Sequence, residues 1–139
     1  AEVSERMRAI EESVNRALLP AGRFRQWDPA YRGEGPFEAK IPWERIPAEL
    51  EALERELFRR WESVRKDPVP VAAWLEWTIQ GPLHPYYDGC GRISRGFSAW
   101  ILIWADHPVP RYKDREEWFR RAREGLESFT AFVRESASR

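Results

Sequence analysis

Residues 84–95 bring together residue types that proteins use to handle phosphate groups. They read His-Pro-Tyr-Tyr-Asp-Gly-Cys-Gly-Arg-Ile-Ser-Arg and stand directly before a strongly apolar stretch. His84 is a candidate proton acceptor, and Asp88 is a candidate ligand for a divalent metal ion. Gly89 and Gly91 let the backbone come close to an anion. Because the amides and the dipole of a helix N-terminus attract anions, this pattern predicts phosphate chemistry.

Two arginines three positions apart, Arg92 and Arg95, complete the pattern. A guanidinium group donates paired hydrogen bonds to phosphate oxygens, which makes both residues candidate phosphate ligands. Simpler interpretations stay open: each arginine forms an ordinary ion pair with a surface acid, Asp88 caps the following helix, and His84 caps a helix end without a chemical role.

The same dozen residues resembles the signature of the Fic-domain (Fic/Doc) family, His-Pro-Phe-x-Asp/Glu-Gly-Asn-Gly-Arg-x-x-Arg. If Tyr86 counts for the phenylalanine, the chain departs from that signature at one specified position, where Cys90 replaces asparagine. The resemblance implies transfer of a nucleotidyl group, AMP by default, from a nucleoside triphosphate to a hydroxyl group. Gly91 has the form that the family associates with nucleotidyl rather than phosphoryl transfer.

The resemblance also implies a role for each matching position. His84 would deprotonate the hydroxyl of the acceptor, and Asp88 would hold a Mg²⁺ ion that bridges phosphates of ATP or another nucleoside triphosphate. The phosphates themselves would be bound by the remaining positions of the motif: Gly89, Cys90, Gly91, Arg92 and Arg95.

Cys90 is open to three interpretations. A thiol is a poor hydrogen-bond donor compared with the amide that it replaces, so it is either a small tolerated substitute or a sign of an altered reaction. A thiol near a helix N-terminus, His and Arg also ionises more easily, which makes Cys90 a candidate catalytic nucleophile. Two alternative functions follow: a divergent enzyme of this fold that acts on a small molecule, and a non-catalytic module that binds nucleotide or protein.

Composition predicts a single packed domain over residues 1–139. Hydrophobic residues make up 42% of the chain and aromatic residues 14%, as in a globular protein. The 23 basic and 23 acidic residues balance, which argues against nucleic acid or an anionic membrane as a partner. The single cysteine is typical of a reducing cytoplasm. We expect a cytoplasmic protein, since neither a signal peptide nor an apolar run of about eighteen residues is visible.

Hydrophobic periodicity predicts a mainly α fold. The fourth predicted segment is apolar on nearly every side, so we expect it to be the buried centre. Gly81 and Pro82 are expected to stop the third segment, and Asp114 with Glu117 predicts a capping box for the last. His107 is interpreted as structural. The five predicted segments cover residues 3–18, 47–64, 68–79, 93–105 and 114–133.

Residues 22–46 interrupt the helical pattern and predict a loop or short hairpin that turns near residues 33–35. Fic-domain proteins carry a flap hairpin at this place, so the resemblance implies a Fic-type helical bundle of about five or six helices with a short β-hairpin flap. An inhibitory Ser/Thr-x-x-x-Glu-Gly/Asn string is absent from the sequence, which leaves a separate inhibitory partner open. The aromatic residues of this stretch either clamp a ligand or cover the core: Phe24, Trp27, Tyr31 and Phe37.

Overall fold

The described part of the chain is mainly helical, as the sequence predicts. A computed structural model describes residues 22–26, 28, 39–87 and 89–138, which contain five α-helices and no β-strand. A 3-10 turn, Trp43–Arg45, precedes the first helix, and a π-helical turn, Ile79–Leu83, follows the second. The helices are α1 (Ile46–Val64), α2 (Val69–Thr78), α3 (Cys90–Trp104), α4 (Arg115–Arg123) and α5 (Leu126–Ala137).

The core of the fold is centred on α2. This helix packs against α1, α3 and α5. Ala72 and Ala73 are fully buried, and their short side chains let the neighbouring helices approach closely. The apolar cluster around α2 draws buried side chains from each of the other helices, including Val64, Ile101, Leu102, Trp118, Phe129 and Val133.

The prediction that residues 93–105 form the buried centre is wrong. Helix α3 packs against α2, and its buried residues include two serines, Ser94 and Ser98, beside Ile101 and Leu102. Its aromatic residues lie on the other face, where Trp100 is 51% exposed and Trp104 is 42% exposed. Both rings instead contact Trp61 of α1, with ring centroids 5.4 and 4.9 Å apart. Apolar content alone therefore did not identify the face that packs.

The third predicted segment does not stop at Gly81 and Pro82. The backbone widens after Thr78 into the π-helical turn, which includes Pro82 and ends at Leu83. His84 follows with a φ angle of 40°, in the left-handed region that residues other than glycine seldom adopt. The wider turn accommodates Pro82, which lacks an N–H group. His84 then begins the motif loop, residues 84–89, which leads into α3.

The last predicted segment is two helices rather than one. Gly125, with a φ angle of 116°, separates α4 from α5. A conformation of this kind favours glycine, so the break lies where the sequence permits it. Asp114 caps α4 as predicted, but its Oδ1 accepts a hydrogen bond from the N–H of Glu116, at 2.9 Å, and not from that of Glu117, the partner in the predicted capping box.

Several predictions fall outside the described residues. These are the first helix (3–18), the hairpin turn near 33–35, and the flap residues Trp27, Tyr31 and Phe37. Phe24 is described, and its ring lies 5.6 Å from the ring of Tyr86 in the motif loop. In the part of the chain that the structure describes, no helix combines the length and the apolar character that a membrane span requires.

Candidate active site

A pocket of about 750 Å³ lies where the N-terminus of α3 faces the connection between α3 and α4. Except for Asp88, which is outside the described residues, every residue predicted for the site lines it. Its near wall carries seven residues of the motif and one that precedes it: Gln80, His84, Tyr87, Gly89, Cys90, Gly91, Arg92 and Arg95. Its far wall consists of Pro110, Tyr112, Lys113, Arg115, Trp118 and Phe119.

The charge of the pocket is strongly one-sided. Arg92 and Arg95 stand on the near wall, Lys113 and Arg115 stand on the far wall, and no carboxylate is among the described lining residues. A cleft lined by charges of one sign concentrates ions of the other sign. The volume lies within the roughly 300–1,000 Å³ that small-molecule sites occupy, so the pocket suits an anionic ligand of moderate size.

The two glycines of the motif allow the close packing at the near wall. Gly89 is the N-cap of α3 and has a φ angle of 86°, which strains any other residue. At Gly91 the constraint is space, because a β-carbon there would lie 3.3 Å from Nη1 of Arg95 and 3.3 Å from Oε1 of Gln80. A β-carbon at Gly89 would lie 3.8 Å from Nη2 of Arg92. Both guanidinium groups therefore lie beside the glycine backbone at the helix N-terminus.

His84 has a defined tautomer. Its Nδ1 lies 2.8 Å from the backbone carbonyl oxygen of Gln80. A carbonyl oxygen only accepts hydrogen bonds, so Nδ1 carries the proton in that contact. In the neutral ring Nε2 is then the basic nitrogen, and the residue lines the pocket. A role of His84 as a proton acceptor stays a prediction.

The thiol of Cys90 is bonded to the loop that precedes it. Its Sγ donates to the carbonyl oxygen of Tyr86 at 3.0 Å and accepts from the N–H of Tyr86 at 3.4 Å. Cys90 is only 2% exposed. These contacts brace the motif loop across four residues, which accounts for a small side chain at this position. A catalytic role of the thiol stays a prediction.

The far wall contains functional candidates that the sequence did not single out. Lys113 and Arg115 add cations to this wall. Tyr112 and Trp118 donate hydrogen bonds to the buried carboxylate of Glu76 on α2. Burial raises the pKa of Glu76 to about 7, and hydrogen bonds from Trp118 and Tyr112 partly oppose that shift. Proximity in the fold, not spacing along the chain, joins these residues to the motif. The visible signal was a lone carboxylate within the apolar run 71–77.

Asp88 is the predicted metal ligand. Among the described residues no group of three or more His, Cys, Asp or Glu side chains is placed to hold a metal ion. Mg²⁺ does not require such a group, since it commonly takes one or two carboxylates and fills its remaining positions with phosphate and water oxygens. Because Asp88 lies outside the described residues, the Mg²⁺ site stays a prediction.

Comparisons of the chain with protein-family models, with curated proteins and with solved structures find no match.

Proposed function

We propose that this protein is a Fic-type transferase, which moves a nucleotidyl group from a Mg²⁺-bound nucleoside triphosphate to a hydroxyl group. AMP is the default group and ATP the default donor. The proposal rests on the motif of residues 84–95 and on one observation above all. A histidine with a basic Nε2, a glycine-flanked helix N-terminus and two guanidinium groups line one pocket that has no described carboxylate in its walls.

The proposed reaction assigns a step to each of these groups. Nε2 of His84 takes the proton of the acceptor hydroxyl, and the resulting oxygen nucleophile attacks the α-phosphorus of the nucleotide. The bond from the α-phosphorus to the bridging oxygen breaks, and pyrophosphate leaves with that electron pair. Arg92 and Arg95 stabilise charge on the phosphates. A bound Mg²⁺, held by Asp88, would neutralise charge on the leaving phosphates.

Cys90 is compatible with this reaction. The family's asparagine is replaced by a thiol whose Sγ is bonded to the backbone of Tyr86. Backbone amides at the helix N-terminus and the two arginines supply donors for phosphate without it. We therefore interpret Cys90 as a brace for the motif loop, and the transfer chemistry is assigned to His84.

The far wall favours a second candidate, in which the acceptor is a small molecule. Lys113 and Arg115 add positive charge on the side of the pocket opposite the motif. A protein side-chain hydroxyl does not need such charge, whereas an acceptor that carries its own carboxylate or phosphate does. In this alternative the donor chemistry is unchanged, and the acceptor differs.

Calorimetry with ATP, with and without Mg²⁺, tests the nucleotide site. We expect saturable binding that strengthens when Mg²⁺ is present. Arg95→Gln should weaken binding about tenfold or more, the usual worth of a charge-assisted hydrogen bond. Arg59→Gln is the matched control, because Arg59 lies on α1, is exposed and pairs with Glu56 of the same helix at 2.8 Å. Asp88→Asn should remove the effect of Mg²⁺ and leave metal-free binding in place.

Transfer is tested with ATP labelled at the α-phosphate and a cell extract separated into protein and small-molecule fractions. Label in the protein fraction supports protein modification, and label in the small-molecule fraction supports the second candidate. Binding without label transfer in either fraction points to a non-catalytic module. If ATP does not bind to the wild-type protein under any of these conditions, the proposed function is wrong.

A further inference from the structure

Arg25 is a buried cation in the segment that precedes α1. It is 1% exposed and belongs to none of the helices. Burial of a charged side chain is expensive unless its donors are satisfied, so the partners of such a residue indicate what it holds in place.

The donors of Arg25 converge on the backbone around His84. Its Nε donates to the carbonyl oxygen of His84 at 2.7 Å, and its Nη2 donates to the carbonyl oxygens of Leu83, at 3.2 Å, and Ile41. Its backbone N–H donates to the carbonyl oxygen of Pro85 at 2.9 Å. Nη1 pairs with Asp28 at 3.1 Å, which supplies the countercharge. The three successive carbonyl oxygens of Leu83, His84 and Pro85 thus all accept hydrogen bonds from Arg25.

The backbone of residues 40 and 41 completes this arrangement. The carbonyl oxygen of Pro82 accepts hydrogen bonds from the N–H groups of Lys40 and Ile41, at 2.9 and 3.1 Å. From residue 82 to residue 85, every carbonyl oxygen is therefore bonded to residues 25, 40 or 41. This stretch has neither helix nor sheet beyond Leu83, so these bonds replace the ladder that regular structure would provide.

His84 depends on this support because its backbone is strained. Its φ and ψ angles are 40° and 65°, in the left-handed region, which is unfavourable for a residue with a β-carbon. A strained conformation persists when surrounding contacts over-determine it. The bond from Nε of Arg25 sets the direction of the His84 carbonyl, while the Gln80 carbonyl sets the ring. The backbone and the side chain of His84 are thereby held by two different residues.

We propose that Arg25 is a positioning residue that holds His84 in its left-handed conformation, so that Nε2 is aimed into the pocket. Arg25 does not line the pocket and contacts no reacting atom. The planar guanidinium suits this task, since it directs several donors at once, whereas a lysine ammonium has no fixed fork. The importance of Arg25 for transfer rests on the proposed function; its effect on the conformation of His84 does not.

The test compares Arg25→Lys and Arg25→Met with wild type and with Arg45→Met. Arg45 is the control because it lies nearby at the start of α1 but is exposed and pairs only locally, with Glu49 at 2.9 Å. Nitrogen NMR of the His84 ring reports the tautomer, and ATP affinity with single-turnover rate separates binding from chemistry. Arg25→Lys retains the charge and is the variant that decides the outcome if Arg25→Met does not fold.

We expect Arg45→Met to match wild type in every measurement. In Arg25→Lys, the Nδ1–H tautomer of His84 should give way to a mixture, and the transfer rate should fall about 10²-fold with a change in ATP affinity below about threefold. A wild-type tautomer together with a wild-type rate would overturn the proposal. If wild type neither binds ATP nor transfers label, the proposed function fails, and the His84 spectrum alone still decides the role of Arg25.

Discussion

The carboxylate of Glu76 supports the far wall of the pocket from within the core, where its Oε1 accepts a hydrogen bond from Nε1 of Trp118 at 3.1 Å. Its Oε2 accepts a second bond from the hydroxyl of Tyr112, also at 3.1 Å. Glu76 is 1% exposed and lies on the central helix α2. One buried acid therefore connects the core to two residues that line the pocket, and the protonation of this acid affects the stability of the fold.

We predict that the free energy of unfolding falls as the pH rises from about 4.5 to about 7, because of Glu76. Burial raises its pKa from the ordinary 4.5 to about 7 in the folded protein. The folded state thus holds a proton that the unfolded state has released, so the stabilisation is complete below the lower pKa and is lost as the pH passes the higher one. The loss amounts to roughly 3 kcal/mol.

Urea unfolding at several pH values between 4 and 8 measures this effect. Glu76→Gln cannot titrate and should flatten the profile in that window, although its amide satisfies one of the two donors less well. Glu62→Gln, on the exposed side of α1, should keep the wild-type slope. The pKa of Asp67 is lowered from its ordinary 3.8, because Asp67 accepts a hydrogen bond from Arg134. Its effect on the free energy of unfolding therefore lies at lower pH than the window in which Glu76 acts. Identical slopes for wild type and Glu76→Gln would contradict the prediction.

His84→Ala should reduce the transfer rate by roughly 10²–10⁴, the usual worth of a positioned general base. ATP binding should persist, because the helix N-terminus and both arginines are unchanged. In wild type the rate should fall as the pH drops, because a protonated imidazole cannot take the proton of the acceptor hydroxyl.

Single-turnover rates between pH 5 and pH 9 test this assignment. His107→Ala is the matched control, since His107 is the other histidine of the chain, does not line the pocket, and has its ring Nδ1 2.8 Å from the carbonyl oxygen of Pro108. A His84→Ala protein that reacts like wild type would remove His84 from the mechanism and with it most of the case for this chemistry.

Local signals predicted much of this structure. Spacing of apolar residues identified helices α1 to α3 within a few residues, because an amphipathic pattern and its end signals lie on the chain itself. The same holds for most of the near wall of the pocket, because all of its residues except Gln80 fall within the single stretch from His84 to Arg95. Gly125 was the exception among local features: it carried a break signal that the apolar pattern on both sides concealed.

Tertiary features were not predictable in this way. The far wall joins the motif through space, so no spacing rule relates Lys113 to Arg92. Arg25 bonds to His84 across 59 positions and stands in a segment without periodicity. The packed face of α3 was also missed, because Ser94 and Ser98 are small enough to lie against α2 while the larger aromatic residues are left outside. Ile101 and Leu102 are buried on the same helix, so apolar content alone does not distinguish the packed face from the exposed one.

Substitutions of Cys90 separate a structural thiol from a catalytic one. Cys90→Ser retains a donor for the carbonyl of Tyr86 and should be mild, and Cys90→Asn should preserve or raise transfer of AMP. Cys90→Ala removes that donor and should lower the free energy of unfolding by about 1 kcal/mol. Transfer assays and urea unfolding test these outcomes. Complete loss of transfer in both the Ser and the Asn variants, together with a mass adduct on the wild-type thiol during turnover, would favour covalent catalysis instead.

Two glycines on α3 provide a matched pair for testing the near wall. At Gly91 a β-carbon would lie 3.3 Å from both Nη1 of Arg95 and Oε1 of Gln80, whereas at Gly96 nothing lies within 4 Å. Gly91→Ala should therefore displace one of those side chains and weaken binding of ATP, by about tenfold if Arg95 moves away from the phosphate. Alanine is more favourable than glycine in a helix in terms of folding free energy, so the fold should tolerate the change.

Gly96→Ala adds the same methyl group to the same helix without a contact. It should leave ATP affinity unchanged and raise the free energy of unfolding by about 0.5–1 kcal/mol, because glycine loses more backbone entropy on folding than alanine does. Calorimetry and urea unfolding on both variants give the comparison. Equal ATP affinities for the two proteins would show that the crowding at Gly91 has no bearing on the ligand.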